Sequence, residues 1–140
     1  MPAIHFFNEG IRYKIPHPRK TASWIRHAIS SEGFKLHELN FVFCSDPYLR
    51  SMNVSYLRHQ TYTDIITFDT SQEPGLLEGD IFISIHRVRE NAAIFEALFD
   101  TELHRVIIHG VLHLMGYSDK TPRKKAIMRK KEDAYLSLRK

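Results

Sequence analysis

The stretch Ile108-His109-Gly110-Val111-Leu112-His113-Leu114-Met115-Gly116-Tyr117-Ser118-Asp119 decides how this chain is read. It closes a segment, Asp100–Met115, whose apolar residues (among them Leu103, Val106, Ile107, Ile108, Val111 and Leu112) run nearly all the way round a helical wheel. A helix of that kind belongs inside a core. Asp100 and Thr101 suit its start, and Gly116 suits its end. His109 and His113 stand four apart on it, so both rings leave one face within reach of a single ion. The pair alone decides little, because nine histidines in 140 residues would supply roughly 0.6 such pairs from composition.

The residues that follow carry more weight. Read as spaced, the segment is His109-x-x-x-His113-x-x-Gly116-x-x-Asp119, against the metzincin pattern H-E-x-x-H-x-x-G-x-x-H. A glycine that ends the helix lets the chain turn back, so a residue three positions on can supply a third ligand. Here that residue is Asp119. Two imidazoles and one carboxylate leave a coordination position open, which marks a catalytic zinc site and not a structural one. Zinc proteases of this type place a glutamate general base directly after the first histidine. This chain has Gly110, which neither takes nor gives a proton, so peptide hydrolysis by that route is disfavoured. Chemistry whose nucleophile comes with the substrate stays open, and RNA brings its own 2′-hydroxyl.

Working outward, the chain alternates strands and helices without a strict βαβ rhythm. Ala3–Phe7 reads as a strand, and a helix opens at Pro18 and stops near Gly33, with Trp24, Ile25, Ala28 and Ile29 on one face. Leu39–Cys44 is β-rich, and Asp46 with Pro47 starts a helix through about Leu57. Asp64–Asp69 and Gly79–Ser84 are two further strands, and Asn91–Phe99 is helical. The last helix begins at Thr121-Pro122, with Ile127, Ala134, Tyr135 and Leu138 expected on its inner side. No repeat or linker interrupts the chain. The expectation is an α+β fold in one domain over residues 1–140, with about four strands, about five helices and the metal site on a buried helix and its following turn.

Composition agrees with a globular domain: 43% of residues are hydrophobic and 26% are charged, which excludes disordered and collagenous classes. The lone Cys44 can form no internal bridge and fits a reducing compartment. There is no signal-like opening and no apolar run of about 20 residues, so a soluble cytoplasmic protein with no membrane partner is expected. The formal net charge of +4 is unevenly placed. From Lys120 onward nine Lys/Arg face only Glu132 and Asp133, while the first 119 residues carry 11 basic and 14 acidic side chains. Such asymmetry points to a polyanion partner, with Lys124, Lys125, Lys130 and Lys131 as candidate phosphate-binding residues. A solvated face would look the same in sequence.

The segment from Ile108 to Tyr117 closely resembles the signature of the YbeY-type endoribonucleases, the bacterial rRNA maturation factors. Upstream, Met52-Asn53 and Tyr56 fit, Thr63-Asp64-Ile65-Ile66-Thr67-Phe68 resembles the family's T-D-V-L-S-F strand, and Gly79-Asp80-Ile81-Phe82-Ile83-Ser84 resembles its G-D-I-x-I-S strand. The resemblance covers roughly the C-terminal two thirds. It implies a zincin-like α+β fold and a zinc-dependent, single-strand-specific endoribonuclease acting on the 3′ end of small-subunit rRNA and in ribosome quality control.

Two positions depart from the family pattern. Where the family continues G-Y-D-H, this chain has Gly116-Tyr117-Ser118-Asp119, so Asp119 takes the place of the third histidine ligand. A carboxylate is a competent but harder zinc ligand, which brings Mn or Fe into consideration beside Zn2+. The family's phosphate-contacting arginine falls by spacing on Leu57, and Arg58, next in line, is assigned that catalytic role; His59 reads as an ordinary loop histidine. A rival reading is a non-catalytic ribosome-assembly factor that binds RNA and uses the metal only for stability. A 2-His-1-carboxylate iron oxygenase is disfavoured, because those ligands are generally borne on strands.

Overall fold

The computed structural model describes residues 3–57 and 63–139, with the backbone alone over 54–57. Arg58 and His59 therefore lie outside the described residues. Four strands and five helices follow in the order β1 (Ile4–Glu9), α1 (Pro18–Ser31), β2 (Lys35–Cys44), α2 (Asp46–Leu57), β3 (Ile65–Asp69), β4 (Leu76–Ser84), α3 (Ile85–Ile94), α4 (Phe99–Leu114) and α5 (Pro122–Leu136). The sheet order is β1-β2-β4-β3, with β1, β2 and β4 parallel and β3 antiparallel to β4 at the edge. This is the expected α+β architecture.

The alternation along the strands places the core. Leu39, Phe41 and Phe43 of β2 and Leu77, Ile81 and Ile83 of β4 point to one face and are at most 1% exposed. α1 and α4 cover that face: Ile25, Ala28 and Ile29 come from α1, and Leu103, Ile107, Ile108, Val111 and Leu112 from α4. The opposite face carries a smaller cluster beside α2, with Cys44, Leu49 and Ile66 buried and Met52, Phe68 and Phe82 against them. α4 is thus the buried helix that its all-round apolar pattern demands.

Gly110 shows how closely α4 lies on the sheet. A Cβ there would come 2.7 Å from Ile65 Cδ1 and 3.2 Å from Ile81 Cγ2. The absence of a carboxylate after His109 therefore has a packing cause as well as a chemical consequence.

Four elements differ from expectation. β2 and β4 begin four and three residues earlier than their β-rich cores, and they pair with each other over the added lengths. α3 starts at Ile85, capped by Ser84 Oγ accepting from the Arg87 amide, and ends at Ile94, so Phe95–Leu98 form a turn where a helix was expected. The inner face of α5 also differs. Ile127 and Leu138 are 46% and 55% exposed and Ala134 is exposed, while Met128, Glu132 and Tyr135 are buried. The helix is rotated because polar bonds orient it. Glu132 is drawn inward by partners on α4, and the Tyr135 carbonyl accepts from Trp24 Nε1 at 2.8 Å. Among the described residues, no helix is long and apolar enough to cross a membrane.

Candidate active site

A cleft of about 800 Å³ is lined by residues at the start of β3, from α3 and the turn after it, and from α4 and α5. His109 and Asp119 line it, together with Asp64, Asn91, Phe95, Glu102, Arg105, Lys125, Arg129 and Glu132. His109 comes from the C-terminal half of α4. Asp119 comes from the turn after it, where Gly116 takes a left-handed φ of 103° that side chains disfavour. The turn brings His109 Nε2 to 3.6 Å from Asp119 Oδ2.

That separation is too long for a hydrogen bond. It is close to the roughly 3.3 Å that separates two donors on one tetrahedral zinc, given metal–ligand bonds of about 2.0–2.1 Å. The other ring nitrogen is already engaged, since His109 Nδ1 lies 2.6 Å from Glu132 Oε2. An Nδ1–H donated to that carboxylate leaves Nε2 as the metal-facing atom. The donor chemistry of His109 and Asp119 therefore fits a divalent ion.

His113, one turn further along α4, is exposed and does not line the cleft. Among the described residues, no group of three His, Cys, Asp or Glu is assembled around one point. The structure thus brings His109 and Asp119 together at the cleft, with His113 exposed one helical turn along α4.

The electrostatics of the cleft are mixed. Burial works to lower the His109 pKa, but the hydrogen bond and charge of Glu132, helped by Asp119 and Asp64, outweigh it and raise the value. Burial raises Asp64, and burial with the charge of Asp64 raises Glu102, so both hold a proton more readily than ordinary carboxylates. Asn91 Nδ2 donates to Asp64 Oδ2 at 3.4 Å.

The four candidate lysines separate. Lys125 lines the cleft and Lys124 and Lys130 are exposed, whereas Lys131 Nζ lies 3.0 Å from Glu32 Oε2 and 5.7 Å from the Tyr117 ring centroid. Sequence reasoning did not single out Glu132, Arg105 or Phe95. Phe95 is 62% exposed yet borders the cleft. The available signal for Glu132 was a carboxylate in register with Met128 and Tyr135 on an otherwise basic helix.

With this geometry in place, residues 7–139 match the family model described as Endoribonuclease YbeY. The chain belongs to the endoribonuclease YbeY family. A relative of that name from Cytophaga hutchinsonii is 50% identical over 98% of this chain and 96% of its own length. One from Bacteroides thetaiotaomicron is 44% identical over 98% of this chain and 99% of its own. Among solved structures, the solution structure of TM1509 from Thermotoga maritima is similar, with a TM-score of 0.64 and 25% identity over 96% of this chain and 87% of that one. Membership of the YbeY family supports an endoribonuclease role in rRNA processing, with RNA as substrate, and disfavours a purely non-catalytic assembly factor.

Proposed function

We propose that this YbeY-family chain cleaves single-stranded RNA at a divalent-metal centre held by His109, His113 and Asp119, in the cytoplasm, during maturation of the small-subunit rRNA 3′ end. The observation that supports this most is the 3.6 Å approach of His109 Nε2 to Asp119 Oδ2 inside the cleft. His113, exposed on the next turn of the same helix, would supply the third donor. Zn2+ is the ion proposed, and the Asp119 carboxylate also suits the harder Mn or Fe. When bound, a divalent ion polarises a phosphate oxygen and favours deprotonation of water.

The chain's own groups do the rest. Lys125 at the cleft, and the exposed Lys124 and Lys130 of the same helix, attract flanking phosphates without reading sequence. Phe95 offers an exposed ring at the cleft border against which an unpaired base can stack. Asp64 and Glu102, both inclined to keep a proton, stand where a leaving oxygen could receive one. Arg58 is proposed to pair with phosphate charge as it develops in the transition state.

The test compares wild type, His113→Ala and chelator-treated protein on a structured rRNA fragment. Cleavage is expected only in untreated wild type and on its return after metal is restored. Equal cleavage by all three would remove the metal from the mechanism.

A further inference from the structure

Glu132 has no part in any motif, yet it is among the most buried charged side chains of the molecule, 5% exposed. Both its oxygens are engaged. Oε2 meets His109 Nδ1 at 2.6 Å and Oε1 accepts from Arg105 Nη1 at 2.9 Å. The second arm of Arg105 donates to Asp133 Oδ1 at 2.6 Å. Arg105 stands four residues before His109 on α4, so one helix face presents a guanidinium and then an imidazole to two successive carboxylates of α5.

A buried carboxylate without a cation is costly, and Arg105 supplies the cation. Both terminal nitrogens of Arg105 are engaged by the Glu132 and Asp133 carboxylates. The effect is to hold the Glu132 carboxylate at a set position, from which Oε2 can only accept. In neutral His109 the proton is thereby directed to Nδ1, and the Nε2 lone pair faces Asp119.

We propose that Glu132, clamped by Arg105, is a positioning residue that sets the tautomer and ring orientation of His109 for metal binding. This rests on the reading of His109 as a metal ligand. A simple clasp between α4 and α5 would have no reason to engage the imidazole, because the Arg105 pairs with Glu132 and Asp133 already join the helices. A carboxylate on the far nitrogen of a ligating histidine typically changes metal affinity by about 10–100-fold.

The experiment titrates Zn2+ calorimetrically into the metal-free full chain for wild type, Glu132→Gln and His109→Ala. Nitrogen-15 NMR of metal-free wild type at about pH 9, above the histidine range, reads the tautomer without any variant. The expected results are binding weakened about 10–100-fold in Glu132→Gln, binding lost in His109→Ala, and an Nδ1–H tautomer at His109. Wild-type affinity in Glu132→Gln with loss in His109→Ala would overturn the positioning role and leave the metal reading intact. Undiminished affinity in His109→Ala would overturn the metal reading itself. An Nε2–H tautomer in wild type would refute the proposal even if Glu132→Gln does not fold.

Discussion

The Tyr117 hydroxyl donates to Glu32 Oε1 across 2.6 Å, tying the turn that leads to Asp119 to the C-terminal end of α1. Glu32 Oε2 also accepts from Tyr135 and from Lys131, so one carboxylate joins α1, the α4–α5 turn and α5. Burial pushes this carboxyl up, but the three hydrogen bonds and the Lys131 charge outweigh it and leave the pKa lowered. Stability from this group is therefore present above the ordinary value of 4.5 and lost as pH falls through the lower folded value. Glu32→Gln should cost about 2 kcal/mol at pH 7 and flatten the loss of stability on acidification below about pH 4.5. Urea unfolding at pH 7, 5 and 3.5 checks both effects. A variant as stable as wild type at pH 7 would show that the cluster contributes nothing.

His104 titrates in a different window. Its ring packs edge-on to Trp24 at 5.7 Å between centroids, and burial, with the Arg139 charge adding to it, lowers its pKa from 6.5 to about 4. Below pH 6.5 the unfolded chain takes up a proton that the folded chain refuses, so stability declines progressively down to about pH 4. His104→Phe should abolish that part of the decline and leave the behaviour above pH 7 unchanged. Unfolding midpoints at pH 7.5, 5.5 and 4.5 measure it, and an identical profile in the variant would contradict the burial argument.

Much of this arrangement was legible in the sequence because it follows from local periodicity. The buried α4 came from apolar residues on every side, and the turn to Asp119 came from Gly116. What was not legible depended on contacts distant along the chain. Glu132 meets His109 across 23 positions, and no local pattern marks a carboxylate as inward-facing when a cation 27 positions away neutralises it. The same blindness misplaced part of the inner face of α5: Tyr135 is buried as hydrophobicity suggested, but Ile127, Ala134 and Leu138 are exposed while Met128 and Glu132 turn inward. His113 shares a helix with His109 as spacing required, yet helical register alone does not determine where its exposed side chain lies.

Two glycines should respond differently to a single added methyl. At Gly79 a Cβ would lie 2.5 Å from the Phe68 carbonyl oxygen and 3.1 Å from Leu114 Cδ1. The β3 backbone cannot yield there without disturbing its pairing with β4, so Gly79→Ala should cost about 3 kcal/mol. At Gly110 the nearest obstacle, at 2.7 Å, is the far end of the Ile65 side chain. Repacking that end opposes the roughly 1 kcal/mol that alanine gains over glycine inside a helix, so Gly110→Ala should change stability by no more than about 1 kcal/mol. Thermal unfolding of the two variants side by side tests the ranking, and a larger loss at Gly110 would reverse it.

The lysines of α5 provide a contrast that depends on which of them is already engaged. Lys131 is bound to Glu32 at 3.0 Å and lies over Tyr117, whereas Lys125 borders the cleft. If RNA phosphates lie along that cleft, each cation they engage adds about 0.7 to the slope of log affinity against log salt for a single strand. Lys125→Ala should lower the slope by about 0.7 and leave the thermal midpoint unchanged. Lys131→Ala should do the opposite, lowering the midpoint and leaving the slope alone. Salt titrations of binding to a single-stranded RNA, run beside melting curves, separate the two effects. Equal slopes in wild type and Lys125→Ala would return the basic charge of this helix to an ordinary solvated face.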